Sequence, residues 1–184
     1  MSFRDTPGPL ADPGYTESLN TGTPLAAIRR LGFFAVAAPV LVFLLLPLVV
    51  HDGQTPTWTM VLSVLAGAAP PFWLHLVGFG ATPLEPGIDD VAAAERSLAA
   101  LRGATGERLA ITALPLAVGL VLTFIGSSLL PYALGFLVGW PQMLRATPTT
   151  RTIEGLRAHL ESRGVTSHLW EALLTSASKA MTRR

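Results

Sequence analysis

The chain has 184 residues, of which 50% are hydrophobic and 14% charged, and its net charge is +1. Soluble domains carry roughly 25% charged residues, so this composition and the mean hydropathy of +0.48 predict a membrane protein. The absence of cysteine excludes disulfide frameworks, thiol chemistry and thiolate metal sites. The cationic residues are almost all Arg, and Ala, Leu, Gly and Pro are abundant, which indicates a GC-rich bacterial genome.

Residues 1–23 precede the first apolar segment and are rich in Gly and Pro, without apolar periodicity. The pattern predicts a disordered cytoplasmic tail. Thr23 followed by Pro24 predicts a helix start, with Arg29 and Arg30 at the surface before the chain enters the bilayer. A signal peptide would place a shorter apolar run nearer the beginning, so the first helix is predicted to be retained.

Two uncharged segments, 31–50 and 58–79, predict a first transmembrane hairpin. Twenty helical residues at about 1.5 Å each cross the roughly 30 Å hydrocarbon layer of a bilayer. A short polar loop between the two segments turns the chain back.

A soluble composition returns after the second span and predicts a cytoplasmic helix over about 88–102. Asp89 and Asp90 at its start and Arg96 and Arg102 toward its end suit the helix dipole. Its expected apolar stripe consists of Ile88, Val91, Leu98 and Leu101. The helix is expected to end at Gly103 and Gly106.

The segment 109–144 has 36 residues without a charge. As one straight helix it would be about 54 Å long, too long for a bilayer. The sequence Gly126-Ser127-Ser128 predicts a turn, which divides the segment into spans at about 109–125 and 129–144.

Two short amphipathic helices are predicted in a cytoplasmic tail over 145–184. The first ends at Gly164 and the second begins near Ser167. Their apolar faces are Ile153, Leu156 and Leu160, and Leu169, Trp170, Leu173, Leu174 and Ala177. Either these faces lie against the membrane or the two helices pack on each other as a hairpin.

The distribution of Lys and Arg predicts the orientation. Three precede the first span, three lie between the second and third, and seven follow the fourth, so all thirteen fall on one side. The positive-inside rule places that side, with both termini, in the cytoplasm. Aromatic residues predict the two interfaces, with Trp58 and Tyr132 at the outer one and Trp73 and Trp140 toward the inner one.

The spans contain no Asp, Glu, Lys or Arg, which disfavours ion-coupled transport by this chain alone. His75 is the titratable residue within a span. It lies about 25 Å along the helix from Trp58, which favours an interfacial position over a proton relay or quinone contact. No motif indicates a catalytic, cofactor, metal or nucleic-acid site, so none of these is predicted.

Proline and glycine in the spans indicate how the helices pack. Pro70 and Pro71 are hinge candidates, because each removes a backbone hydrogen bond. Small-residue positions that allow close helix approach, within the bundle or against another subunit, are Gly67, Gly119, Gly135 and Gly139.

The stretch 107–164 contains Ala113-Leu114-Pro115, Pro131-Tyr132 and Leu156-Arg157 followed by Leu160-Glu161. With these apolar, Gly and Pro positions the chain resembles a family of small four-span actinobacterial membrane proteins. The likeness covers roughly a third of the chain. It implies origin and topology, and it implies no activity or binding residues.

The sequence therefore predicts an all-α, polytopic protein of the bacterial cytoplasmic membrane, with a four-helix transmembrane bundle of two hairpins over 24–144 and cytoplasmic amphipathic helices. The expected function is a non-catalytic accessory or scaffolding subunit, and the alternative is a small oligomeric transporter. A lipid-modifying enzyme using His75 or Glu107 ranks last. Expected partners are anionic lipid headgroups and another membrane protein or a second copy.

Overall fold

The computed structural model describes residues 8–51, 53–77 and 80–175. These residues form helices and loops and contain no strand, which confirms the all-helical prediction. The α-helices are α1 Tyr15–Ser18, α2 Pro24–Leu45, α3 Thr57–Val77, α4 Asp90–Gly126, α5 Leu130–Ala146, α6 Thr150–Leu160 and α7 Leu169–Leu174, with 3₁₀ turns at Pro9–Ala11, Leu46–Leu48 and Glu161–Arg163.

Among the described residues, three helices are long and apolar enough to cross a membrane: Pro24–Leu48, Thr57–Leu76 and Asp90–Gly126. They indicate a membrane protein. The helix at the position of the expected fourth span, α5, has 17 residues and measures about 26 Å, which is at the short end of the range for a transmembrane helix.

The chain forms two compact units. Unit 1 contains residues 1–31, 79–105 and 148–184, and unit 2 contains residues 32–78 and 106–147. Unit 2 thus holds the apolar segments, whereas unit 1 gathers three polar segments that are distant in sequence.

Helix α5 is the centre of unit 2, because it contacts α2, α3 and α4. Toward α2, the Tyr132 hydroxyl donates to the Pro39 carbonyl at 3.0 Å, and the Phe43 ring stacks on Phe136 with centroids 5.0 Å apart. Toward α3 it places Val138 against Gly67. Contacts with α4 involve the glycines described below.

The two turns of unit 2 are joined at one end. The Gly53 amide donates to the Ser127 carbonyl at 2.8 Å, and the Thr55 hydroxyl donates to Ser128 at 2.5 Å. The chain breaks between α4 and α5 at the predicted turn, where Ser127 adopts a left-handed φ of 47°.

Unit 1 has its own apolar core. The buried residues come from the start of α2, from the segment 80–105 and from the C-terminal helices, and they are Leu25, Ile28, Leu84, Ala93, Leu101, Ile153, Leu156, Leu160, Leu169, Trp170 and Leu173. Leu101 of the predicted apolar stripe is part of this core, and Ile88 and Leu98 pack against it. Val91 is 66% exposed. The amide of Leu84 donates to the Leu160 carbonyl at 3.0 Å, which fastens the segment before α4 to α6.

The predicted helix end at Gly103 and Gly106 is wrong, because α4 continues through both glycines to Gly126. Glycine inside a helix costs only about 1 kcal/mol relative to alanine, and the neighbouring Ala, Leu, Arg and Glu residues favour the helix. Local propensity therefore does not stop a helix whose two halves are each held by packing.

The segment 8–23, for which the sequence predicts disorder, is folded in this structure, and Arg29 is buried rather than at the surface. Asp12 lies 2.6 Å from Arg29, and this contact supplies order that the weak hydrophobicity of the segment could not. The predicted start of α2 is confirmed, since the Ala26 amide donates to the Thr23 hydroxyl at 3.3 Å. Residues 1–7 lie outside the described residues.

The apolar faces of the two C-terminal helices are buried in the core of unit 1, so the described residues pack on protein rather than offering these faces to a membrane. Helix α6 extends into a 3₁₀ turn that ends at Gly164, which has a left-handed φ of 79°. Ser167 precedes α7, and its hydroxyl accepts from the Leu169 amide at 3.4 Å. Ala177 lies outside the described residues.

Candidate functional site

Three of the four predicted packing glycines meet at one contact between α4 and α5. A Cβ built on Gly135 would lie 2.4 Å from the Pro115 carbonyl oxygen, and one on Gly119 would lie 2.8 Å from that of Pro131. A Cβ on Gly139 would lie 3.2 Å from the Pro115 side chain. The backbones of the two helices approach so closely at this contact that a side chain at Gly135 or Gly119 requires the helices to move.

The fourth glycine belongs to a polar contact between α3 and α5. The Gln142 side-chain amide of α5 donates to the Gly67 carbonyl of α3 at 3.1 Å. In a regular helix that carbonyl would accept from the amide four residues later, which is Pro71 and has no N–H. Gln142 therefore supplies the donor that Pro71 removes.

Tyr132 and Trp140, predicted to mark the outer and inner membrane interfaces, both donate hydrogen bonds to the α2 backbone. The Trp140 indole donates to the Val36 carbonyl at 3.0 Å. Beside it lies an apolar groove of about 390 Å³, lined by Phe33, Val36, Ala37, Val40, Leu41, Leu44 and Trp140. Such a lining fits a hydrocarbon chain rather than a polar substrate.

Unit 1 contains a buried ion pair. The Arg29 guanidinium donates to both carboxylate oxygens of Asp12, at 2.8 and 2.6 Å, and the two side chains are 1% and 4% exposed. Arg29 also donates to the Gly14 carbonyl and the Ser18 hydroxyl, each at 3.0 Å, and to the Pro148 carbonyl at 3.3 Å. The pair thus connects the N-terminal segment and the start of α2 to the loop before α6.

The carboxylate of Asp12 is equally well satisfied. It accepts from the Thr150 hydroxyl at 2.7 Å and from the Gly14 amide at 3.0 Å. The Arg29 hydrogen bonds lower the pKa of Asp12 against the effect of burial, and with the Thr150 and Gly14 bonds they bring it from 3.8 to about 2. A carboxyl group held so firmly in its charged form acts as a structural anchor.

This shift predicts the acid sensitivity of unit 1. Because the folded pKa of Asp12 lies below the unfolded one, its contribution to the free energy of unfolding is full above pH 3.8 and is lost as the pH falls toward 2. The expected loss is about 2 kcal/mol. Hydrogen exchange of residues 148–160 between about pH 5 and 2 measures it. In the Asp12→Asn variant this acid-induced loss of stability should be absent. If the variant kept the same pH dependence, Asp12 would not be its cause.

A second cluster in unit 1 holds α7 on α6. Glu161 accepts from the Ser167 amide and hydroxyl at 3.0 and 2.8 Å and from Arg157 at 3.1 Å. Burial raises the pKa of Glu161, but the Ser167 and Arg157 contacts outweigh it, so the net shift is downward. The Trp170 indole donates to the Glu154 carboxylate. These polar groups serve the packing of unit 1.

The remaining candidate residues lie apart. His75 is exposed on α3, and Pro70 is buried while Pro71 is exposed. His159 contacts the Ala81 carbonyl at 2.8 Å, and His168 lies 3.5 Å from Asp90. Within the ranges that the structure describes, no three His, Asp or Glu side chains are grouped to hold a metal ion.

No protein family, curated protein or solved structure that was compared matches this chain. The resemblance to small actinobacterial membrane proteins therefore stays a prediction.

Sequence reasoning missed two residues that organise the units. Gln142 is the one amide side chain in the uncharged apolar segments, and a polar group there that can bond across helices was an available signal. Asp12 lies 17 residues before Arg29 and has no periodic relation to it. No local pattern could have joined that pair.

Proposed function

We propose that the chain is a four-span protein of the bacterial cytoplasmic membrane that serves as a non-catalytic accessory or scaffolding subunit, with both termini in the cytoplasm. In this proposal α2, α3, the second half of α4 and α5 cross the bilayer. Unit 1 is the cytoplasmic part.

The division into units supports this topology. The positive-inside rule assigns three segments to the cytoplasm, and the same three segments assemble into unit 1 around one core. Within unit 2, the loop before α3 bonds to the turn before α5, and these are the two connections that the proposed topology assigns to the outer side. Four crossings explain both observations, because successive connections between spans then lie on alternate sides of the membrane. The two connections that bond to each other fall on one side, and the three segments of unit 1 fall on the other.

The main support for a subunit role is the exposed face of α3. Gly67 faces α5, but Ala68 and Ala69 are exposed, and the large apolar side chains of Leu65 and Phe72 are 60% and 68% exposed on either side. Small residues flanked by large apolar ones let another transmembrane helix approach closely. The polar clusters of unit 1, by contrast, are occupied with each other.

The exposed arginines of unit 1 supply a second contact in this proposal. Arg96, Arg102, Arg151 and Arg163 are exposed at its surface. Anionic lipid headgroups at the inner leaflet attract such residues at about 1 kcal/mol each. The bilayer itself is thus a partner alongside a membrane protein or a second copy.

Crosslinking in the native membrane, followed by purification in mild detergent, tests the proposal. We expect a defined complex, and we expect Ala68→Leu to reduce its yield severalfold because the leucine fills the small surface on α3. Ala117→Leu is the matched control, as Ala117 is also exposed in a span but lies on α4. A solitary monomer, or equal loss in both variants, would contradict the subunit role.

Cysteine labelling tests the topology, because the natural chain has no cysteine. With single replacements at Gln54, Glu85 and Thr166, an impermeant maleimide should reach only position 54 in intact cells. Labelling of position 85 or 166 without permeabilisation would exclude the proposed orientation.

A small oligomeric transporter is the second candidate, favoured by one observation. Gln142 Oε1 is buried and has no hydrogen-bond partner among the described residues, and it lies in the helix that contacts the proline-containing turn of α3. A substrate with a donor group could bind there. Flux into proteoliposomes that is abolished by Pro70, Pro71 or His75 variants would favour this candidate over a subunit role.

A further inference from the structure

Two consecutive prolines interrupt the hydrogen-bond ladder of α3 near its C-terminal end. Pro70 and Pro71 lack the amide hydrogens that would reach the carbonyls of Ala66 and Gly67. In a bilayer the freed carbonyls find no water, so transmembrane helices tolerate proline where a neighbouring helix satisfies them. The Gln142 amide does so for the Gly67 carbonyl, at 3.1 Å.

The orientation of the Gln142 amide follows from its partner. A carbonyl oxygen only accepts, so the NH₂ group must face Gly67. The other polar atom, Oε1, is buried without a hydrogen-bond partner within the described part of the chain. The amide is therefore held to α3 by a single hydrogen bond, which can break without disrupting a wider polar network.

Packing holds the two helices together next to this bond. Gly67 lies against Val138, where a Cβ on the glycine would come within 2.7 Å of the valine Cγ1. Val138 and Gln142 are one turn apart on α5 and both meet Gly67. Beyond Pro71 the side chains of Phe72, Trp73 and Leu76 are all more than half exposed, so this end of α3 has few contacts of its own.

We propose that the Gln142–Gly67 hydrogen bond is a latch that holds the proline-interrupted end of α3, residues 71–77, to α5. Release of the latch leaves the Gly67 carbonyl without a donor, in a helix end that already lacks the two backbone hydrogen bonds of Pro70 and Pro71 and has little packing. The proline pair is then a hinge that Gln142 controls. This inference is independent of whether the chain is a subunit or a transporter.

A double-mutant cycle tests the latch through its chemistry. Gln142→Met removes the donor at similar volume, and we expect it to shift the unfolding equilibrium in mixed micelles by about three- to fifteenfold, as interhelical hydrogen bonds in membranes do. In a Pro71→Ala background the restored amide can satisfy Gly67, so the same replacement should have little effect.

Pro70→Ala is the matched control, because its restored amide reaches Ala66 and leaves Gly67 dependent on Gln142. The full effect of Gln142→Met should persist in that background. An equal effect in the Pro71→Ala and Pro70→Ala backgrounds would overturn the proposal.

Spin-label distances test the hinge even if a proline variant fails to fold. The chain has no cysteine, so labels can be attached at chosen positions. One pair joins position 76, after the prolines of α3, to position 130 of α5 and reports the hinged end. The control pair joins position 61, before the prolines, to position 144 of α5. Gln142→Met should broaden the first distance distribution and leave the second unchanged. Identical distributions for the first pair with and without Gln142 would overturn the proposal.

Discussion

Replacement of Arg29 by methionine is expected to lower the free energy of unfolding of unit 1 by about 3–5 kcal/mol, because it leaves the buried Asp12 carboxylate without its counterion. It also removes the donors to Ser18, Gly14 and Pro148. Hydrogen exchange resolves the effect by segment, and protection should fall in residues 8–31 and 148–160.

The neighbouring arginine provides a matched control. Arg30 is exposed and donates to the carbonyls of Leu19 and Thr21, both at 2.8 Å. Arg30→Met should cost less than about 1 kcal/mol, since exposed contacts of arginine contribute little. Equal effects of the two replacements would show that the ion pair with Asp12 does not organise unit 1.

The same reasoning predicts coupling between the partners. Asp12→Asn added to Arg29→Met should cost less than the sum of the single replacements, because the second change removes the unpaired charge that the first created. Strict additivity of the two would mean that they do not act through each other.

Replacement of Gly135 by alanine is expected to destabilise unit 2 by about 1–3 kcal/mol, the usual cost of overpacking. The added Cβ would lie 2.4 Å from the Pro115 carbonyl oxygen, which belongs to the backbone and cannot rotate away. Helices α4 and α5 must therefore separate. Thermal unfolding in detergent measures the loss.

Gly103→Ala is the control for this prediction. Gly103 is also inside a helix, but nothing lies within 4 Å of a Cβ built there. The higher helix propensity of alanine should leave stability unchanged or raise it by up to about 1 kcal/mol. If both alanine variants behave alike, the close contact at Gly135 has no energetic role.

Composition explains why much of unit 2 could be anticipated. An uncharged run of twenty or more residues has one favourable environment, so the helices at 24–48 and 57–76 follow from hydropathy and length. The turn after Gly126 follows from the same lengths, since 36 uncharged residues cannot form one span. Gly119, Gly135 and Gly139 could be singled out as small residues, but the carbonyl oxygens that they meet depend on how α4 and α5 cross.

The polar parts were predicted less well, and the errors share a cause. The sequence suggested a helix end at Gly103, an exposed Arg29 and a disordered segment up to residue 23, because each judgement considered only nearby residues. In the structure, distant residues change each outcome. Arg29, for example, is buried because Asp12, Ser18 and the Pro148 carbonyl together satisfy its guanidinium.

The sequence by itself determined that the chain is helical and that at least three of its helices suit a membrane, because apolar run length and charge-free composition are local properties. Only the tertiary structure decided that the three polar segments share one core, that Arg29 is buried against Asp12, and that Gln142 replaces the hydrogen that Pro71 lacks. Each of these depends on groups 17 to 138 residues apart that meet by packing, and a single sequence carries no periodic signal for such pairs.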